Sequence, residues 1–537
     1  MPTVNLNYKV VKNALGKISD EQLKERIAML GTDLDELSKK GIIVEVFPNR
    51  PDMLAEYGFI RAMSSFLEIE KGARLYKTKP SGKKVIVKKS VFEVRPYTAC
   101  AIVSGLKLNE DKINQIIQLQ EKLHGTHCRN RKKAAIGVYP SEKIKYPIEY
   151  FADKPSNVKF IPLGETKEMD GLQILSKHPT GREYGHLLEG KQVFPFFKDS
   201  KGQILSMPPV INSEFTGKIE ESTKEVFIEC SGFDLDFLKQ LLNILVCELV
   251  DMGGSCKTIE VLYPDKKVIT PNLSLRKMKL DEKYVLDLLG EKIDVKKNLG
   301  KMGISYEKGI ALIPPYRVDI LHPMDLVEDI AIGFGYENFK PELPNLSTIS
   351  KEDPFNPVRE KIAELAIGLG LVEVWTFCVS NDQVQKINTN REGLLIGFSN
   401  SKSNEQSGLR EDMLGSILEV FQKNANNDYP QKIFDIGPIF LRDKTQETNI
   451  REENMLGIGL CGKNEDFTKI KQTVEYLLTS LGIKIKFARC ENPSFIKGRC
   501  ASVVSNGKQI GIIGEVHPKV LKNFKIEMPV AIGEIVL

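Results

Sequence analysis

Apolar positions recur at helical spacing in some stretches of this chain and alternate in others, and the changes between the two patterns mark out its parts. Leu23, Ile27 and Leu30 fall on one face of a helix opened by Ser19-Asp20-Glu21, because apolar residues three or four apart share a face. Val44-Glu45-Val46 alternates as a strand does. Asn49-Arg50-Pro51-Asp52 then turns into a second helix, with Pro51 suited to the first helical position and Asp52 complementing the positive helix end. Residues 77–89 carry six lysines and no acid around Pro80-Ser81-Gly82, the pattern of an exposed linker or turn, and set a first boundary.

Beyond that boundary strands mix with helices, the clearest helices being 113–123 and 235–249. From 268 to 340 two short helices, near 281–289 and 295–302, precede a β-like pair, Ile304-Ser305-Tyr306 and Ile310-Ala311-Leu312. This is the outline of a winged helix, and also of small α+β packing modules with no link to nucleic acid. The last stretch alternates amphipathic helices (357–369, 411–424, 469–481) with strands such as Lys432-Ile433-Phe434-Asp435-Ile436, which predicts helices packed on an antiparallel sheet. The fold class expected is therefore α+β and multidomain, with parts at 1–80, 81–266, 267–343 and 344–537. The first part is an α/β module, the third winged-helix-like.

Composition narrows the setting. An apolar fraction of 41% with 27% charged residues predicts a folded chain, and no apolar run approaches the ~18 residues that span a bilayer, so no membrane partner is expected. No secretory signal is visible at the start, and nine cysteines without a C-x-x-C pair read as buried small hydrophobes of a reducing cytoplasm. The net charge of +5 is too mild to name a nucleic-acid partner by itself. His124, His127 and Cys128 lie close in sequence but lack the fourth ligand a structural zinc needs.

Three constellations carry candidate chemistry. Asp325, Glu328 and Asp329 share a helical face behind Pro323, with Asp319 just before it. Oxygen ligands of this kind suit a hard cation such as Mg²⁺, while acids also gather in first helical turns for the dipole alone. A run from Phe194 through Leu205-Ser206-Met207-Pro208-Pro209-Val210-Ile211-Asn212-Ser213 to Phe227-Ile228-Glu229-Cys230-Ser231-Gly232 offers a dry pocket with few polar anchors, or an ordinary inter-strand loop. Cys230 has no histidine beside it and reads as a core cysteine rather than a nucleophile. Arg129-Asn130-Arg131-Lys132-Lys133 places four cations in five residues, which fits phosphate contact and a solvated turn equally. No P-loop, Gly-rich dinucleotide turn, G-x-S-x-G or H-E-x-x-H occurs.

Several separated strings resemble the phenylalanyl-tRNA synthetase β-subunit family in its archaeal and eukaryotic cytosolic form. They are Asn49-Arg50-Pro51-Asp52; Gln120-Glu121-Lys122-Leu123-His124 with Cys128-Arg129; the 205–213 and 227–232 segments; Ile433-Phe434-Asp435-Ile436-Gly437; and Gly514-Glu515-Val516-His517-Pro518. Their shared order over the whole length makes the match specific. The resemblance implies an α2β2 heterotetramer that joins phenylalanine to tRNA(Phe) with ATP and Mg²⁺, the aminoacylation site lying on the α chain. It implies that 344–537 is a catalytically inert copy of the class II synthetase fold. Where an active chain would hold its ATP-binding groups, this one reads Gly437-Pro438-Ile439-Phe440-Leu441-Arg442-Asp443 and Gly511-Ile512-Ile513-Gly514-Glu515-Val516-His517. Without a fixed guanidinium, the triphosphate loses its main electrostatic support.

The resemblance also implies an editing module at 81–266 that hydrolyses tyrosine mischarged onto tRNA(Phe), with Leu205, Ser213, Glu229 and Ser231 in its pocket. It implies a Mg²⁺ site of Asp319, Asp325, Glu328 and Asp329 shared with the α subunit. Ser231 departs from the family's usual Thr, Asp329 from its common Glu, and Pro140 from an expected acid. Bacterial relatives append an anticodon-binding domain that is not expected here, which leaves the basic stretches 77–89 and Arg129, Arg131, Lys132 and Lys133 as tRNA-contact candidates. A free-standing editing hydrolase and a non-enzymatic nucleic-acid scaffold are the rival expectations.

Overall fold

The computed structural model describes residues 2–537, which divide into two compact units between Leu343 and Pro344. In the first unit the helix Asp20–Met29 starts at a capping box of Ser19 and Gln22 and buries Leu23 and Ile27. It accompanies a three-stranded sheet in the order Thr3–Leu6, Gly41–Val46, Thr32–Ser38. Pro51 opens a short 3₁₀ turn ahead of the helix Glu56–Phe66.

The centre of the unit is a ten-stranded sheet, in which Glu225–Gly232 lies antiparallel between Tyr97–Ser104 and Ala134–Pro140. Alternation along the strand sends Val226, Ile228 and Cys230 to one apolar core and Phe227 to another on the opposite face. The first core is covered by the helix Leu235–Asp251. Glu229 and Ser231 therefore share the face of Phe227, and Cys230 turns away from them.

Two expectations are corrected here. Residues 77–89 are not a linker: Thr78–Val87 is a strand inside the ten-stranded sheet, paired in parallel with both Ser255–Leu262 and Ile148–Asp153. Pro80-Ser81-Gly82 falls where the pairing register shifts, and Lys83, Lys84 and Lys88 meet Glu225, Glu260 and Glu149 of neighbouring strands. A boundary at 80/81 thus cuts a strand. One at 266/267 parts Ser255–Leu262 from its antiparallel partner Lys267–Thr270.

Residues 276–334 hold the two expected helices, Glu282–Leu289 and Val295–Lys301, and the hairpin Ser305–Glu307/Ile310–Ile313. A further strand, Arg276–Lys279, flanks the hairpin, and the helix Pro323–Phe334 follows. In the second unit the helices Phe355–Gly368, Leu414–Lys423 and Phe467–Ser480 accompany a seven-stranded sheet. Its long pair, Gln431–Arg442 and Ile450–Cys461, is antiparallel throughout. No helix among the described residues is long and apolar enough to cross a membrane.

Candidate functional site

Glu229 reaches a cavity of about 230 Å³ whose wall also includes Gln120, His124, Arg131, Pro209 and Asn212. Its Oε1 accepts from the Tyr139 hydroxyl at 3.2 Å, and the same hydroxyl lies 3.3 Å from Asn212 Oδ1. Its Oε2 is buried and has no protein partner. Burial pushes the carboxyl up to about 8, against the opposing effects of Tyr139, Arg95 and Ser231, so it is largely protonated at neutral pH.

Room for this arrangement comes from Gly137, directly opposite Glu229 on the adjoining strand. A Cβ there would sit 2.1 Å from Tyr139 Oη and 2.7 Å from Glu229 Oε1. Tyr139 was missed by sequence reading, although a glycine and a tyrosine two apart on a strand share a face and carry that signal.

The other expected pocket residues do not line the cavity. Leu205 is fully buried in the second core, and its carbonyl accepts from the Ser213 amide at 2.8 Å. Ser231 Oγ accepts from Arg95 Nε at 3.2 Å, while Arg95 Nη2 donates to the Ser231 carbonyl at 2.8 Å. Leu205, Ser213 and Ser231 thus lie outside the cavity wall, Ser231 being next but one to Glu229 on its strand. Pro140 ends its strand opposite Val226, outside the wall. His124 Nε2 accepts from the Ile136 amide at 2.9 Å, which leaves the proton on Nδ1.

Among the tRNA-contact candidates, Arg131 is committed to the protein. Its Nη1 donates to the carbonyls of Pro209 and Val210 at 3.2 and 2.9 Å, and its guanidinium lies over the Tyr184 ring at 4.0 Å. It holds the cavity wall in place. Arg129, Lys132 and Lys133 are exposed, and none has a carboxylate within ion-pair distance among the described residues. Arg129, Asn130 and Arg131 adopt left-handed backbone in succession, with φ of 53°, 50° and 62°. L-residues rarely do this.

The acidic cluster is partly engaged by groups of the chain itself. Arg317, 2% exposed, places Nη2 2.7 Å from Asp319 Oδ2 and 2.7 Å from Asp329 Oδ2, and its Nη1 donates to the Met302 carbonyl. Asp325 accepts from the Leu321 and His322 amides at 2.7 and 2.8 Å, and Glu328 accepts from the Tyr336 hydroxyl. Arg276 adds a second guanidinium close to Asp319 and Asp325. In this chain by itself the four acids are therefore not gathered into one ligand set. Asp329 is held inward by an arginine, and no group of three metal-ligating side chains converges among the described residues. Helical spacing revealed the shared face but not the cation already on it.

In the second unit the corresponding buried charges are paired with one another. Arg410 is 1% exposed; its Nε donates to the Pro438 carbonyl at 2.9 Å, and its Nη1 to Thr376 Oγ1 at 2.6 Å and Asp435 Oδ2 at 3.3 Å.

Two family models match the chain: the tRNA synthetase B5 domain over residues 278–336 and the phenylalanyl tRNA synthetase beta chain CLM domain over 340–537. Both describe parts of aminoacyl-tRNA synthetases, and the mixed α+β architecture agrees with that class. The phenylalanine–tRNA ligase beta subunit of Pyrococcus horikoshii is 41% identical over 552 residues, covering 100% of this chain and 99% of the relative. That of Archaeoglobus fulgidus is 37% identical over 548 residues, covering 100% and 98%. A crystal structure of an N-terminal fragment of the phenylalanyl-tRNA synthetase beta subunit from P. horikoshii aligns with a TM-score of 0.60 at 36% identity, covering 62% of this chain and 99% of the fragment. The chain belongs to the phenylalanine–tRNA ligase beta-subunit family, within the class II synthetases. A beta subunit of such a ligase implies a partner alpha subunit and a tRNA.

Proposed function

We propose that this chain supports and proofreads rather than charges: an alpha subunit joins phenylalanine to tRNA(Phe) with ATP and Mg²⁺, and the cavity at Glu229 clears tyrosine attached in error. The observation that carries the editing reading is Glu229 in the wall of a cavity the size of one side chain, with its Oε2 buried and partnerless. A tyrosine hydroxyl supplies the missing partner. A phenylalanine ring would bury that oxygen without one, which costs about 1–3 kcal/mol and so about fivefold to 150-fold in selection. Discrimination of this sign is hard to build in a pocket that must merely lack room for one oxygen.

Two features support the inert reading of residues 344–537 and the need for a partner. The Arg410 guanidinium is spent inside the fold and cannot meet a triphosphate without leaving Asp435 unpaired. Trp375 and Phe377 are 78% and 75% exposed, and Val372, close by in sequence, is exposed too; large bare apolar side chains are of the kind that subunit contacts cover. We assign the α2β2 assembly and a cytoplasmic setting on the same reading.

The test is deacylation of tyrosyl-tRNA by the reconstituted complex. Glu229→Ala is expected to slow clearance and let tyrosyl-tRNA accumulate during charging, with phenylalanine charging retained. Unchanged clearance would remove Glu229 from the site.

A further inference from the structure

A cavity of about 230 Å³ holds the amino-acid end of an aminoacyl-tRNA and leaves the nucleotides to rest elsewhere. Across the left-handed loop 129–131 lies a second pocket of about 490 Å³, within the range of small-molecule sites. Arg131 lines the first cavity and Arg129 the second, so the loop is a wall common to both.

The second pocket has an apolar floor of Phe47, Pro51 and Leu54, with Pro48 at its edge, and a rim that carries His127, Arg129 and Lys133. The His127 ring stacks on Phe237 with centroids 4.6 Å apart, and Lys133 Nζ lies 4.4 Å from the same ring centroid. His127 Nε2 is buried without a hydrogen-bond partner. Burial and then Lys133 lower this imidazole to about 4, so at neutral pH it is uncharged and offers the edge of a neutral ring.

An apolar floor, one unpaired ring nitrogen and uncompensated cations at the rim suit a nucleotide. The floor receives a base, the nitrogen meets its polar edge, and the cations take the phosphates on either side.

We propose that this pocket holds a nucleotide of the single-stranded 3′ end of the tRNA while the terminal aminoacyl group occupies the Glu229 cavity. The proposal rests on the editing reading, and the test separates the two. The complex with its alpha subunit is titrated with cognate tRNA transcript, either intact or shortened by its three terminal nucleotides. The wild type is expected to bind the intact form at least about tenfold more tightly. Pro48→Trp, at an exposed position, fills the pocket mouth and should shrink that difference at least about fivefold, any remainder belonging to the alpha subunit's own site for the 3′ end; Arg129→Glu/Lys132→Glu should shrink it as well. The charge reversal should also make binding less sensitive to salt, by about one unit of slope for each phosphate the loop no longer holds. Both variants should raise KM for tyrosyl-tRNA deacylation about tenfold with kcat held.

Equal binding of the two transcripts by the wild type, or variants that keep the difference, would overturn the pocket assignment. Failure of the editing reading has a different signature: Glu229→Ala leaves clearance intact while the preference for the intact 3′ end persists.

Discussion

Glu229 and Asp435 are both carboxylates buried in antiparallel sheets, and their surroundings differ in one respect. Asp435 is met from within by the Arg410 guanidinium and by the hydroxyl of Thr376, and Arg410 is held in turn by the Pro438 carbonyl. Glu229 has a tyrosine on one oxygen and nothing from the protein on the other. The nearby Arg95 turns its Nε and Nη2 to Ser231 instead. A closed pair contributes to one fold; an open carboxyl beside a cavity waits for a ligand. The contrast fits the proposal of recognition in the first unit and scaffolding in the second.

The largest expected effect tests the closed half. Arg410→Ala leaves Asp435, 4% exposed, without its counter-charge, and removing one partner of a buried pair costs about 3–5 kcal/mol. The only tryptophan of the chain, Trp375, adjoins Thr376, which accepts from Arg410, so intrinsic fluorescence in a urea titration reports on this unit. A loss under about 1 kcal/mol would mean that Asp435 finds other partners, and the comparison would weaken.

The pH dependence of Glu229 tests the open half. Its carboxyl titrates at about 8 in the folded chain and near the ordinary glutamate value when unfolded, so between those values the folded state binds more protons. Stability from this group is therefore fully present below the unfolded value and falls as pH rises toward 8. A shift of this size is worth a few kcal/mol. Glu248, also raised to about 8 by burial, adds a slope of the same sign. Glu534, raised to about 7 by burial, and Asp329, raised to about 6 by burial, do the same. Glu229→Gln removes one of these titrations, so its Tm should decline less steeply than that of the wild type between about pH 5 and 8.5. Parallel curves would show that Glu229 is charged and compensated within the fold.

What the sequence reveals follows how local each feature is. Helices such as Leu235–Asp251 and the partner strands of Glu229 carry periodicities of their own. Glu229 stood out in the Phe227–Gly232 string, but Ser231 lies in the same string and turns to Arg95, a contact 136 residues away in sequence. The strand Thr78–Val87 is hidden by its lysines, two of which, Lys83 and Lys84, are answered by Glu225 and Glu260 from strands no local window sees. Asp329 shares a face with Asp325 as spacing predicts, but Arg317 reaches it from outside the helix. The cavity is built where distant segments meet, at Gly137, Tyr139, Pro209 and Asn212, and only the pairing of strands brings these together.

The smallest expected effect concerns a carboxylate that is neither sealed nor open to a cavity. Asp325 accepts the Leu321 and His322 amides at the start of the helix Pro323–Phe334, where the first N–H groups have no helical acceptor. Asp325→Ala should cost about 0.5–2 kcal/mol, and Asp325→Asn much less, because an amide oxygen still accepts from backbone N–H. Under this capping role the loss is the same in EDTA and in excess Mg²⁺, as measured by the melting temperature of the full chain. A Mg²⁺ ligand behaves differently: Asn would fare nearly as badly as Ala, and the loss would appear only with the metal present. That pattern would return Asp325 to the cation-binding role its spacing suggests, and would require Arg317 to release Asp319 or Asp329 when the ion enters.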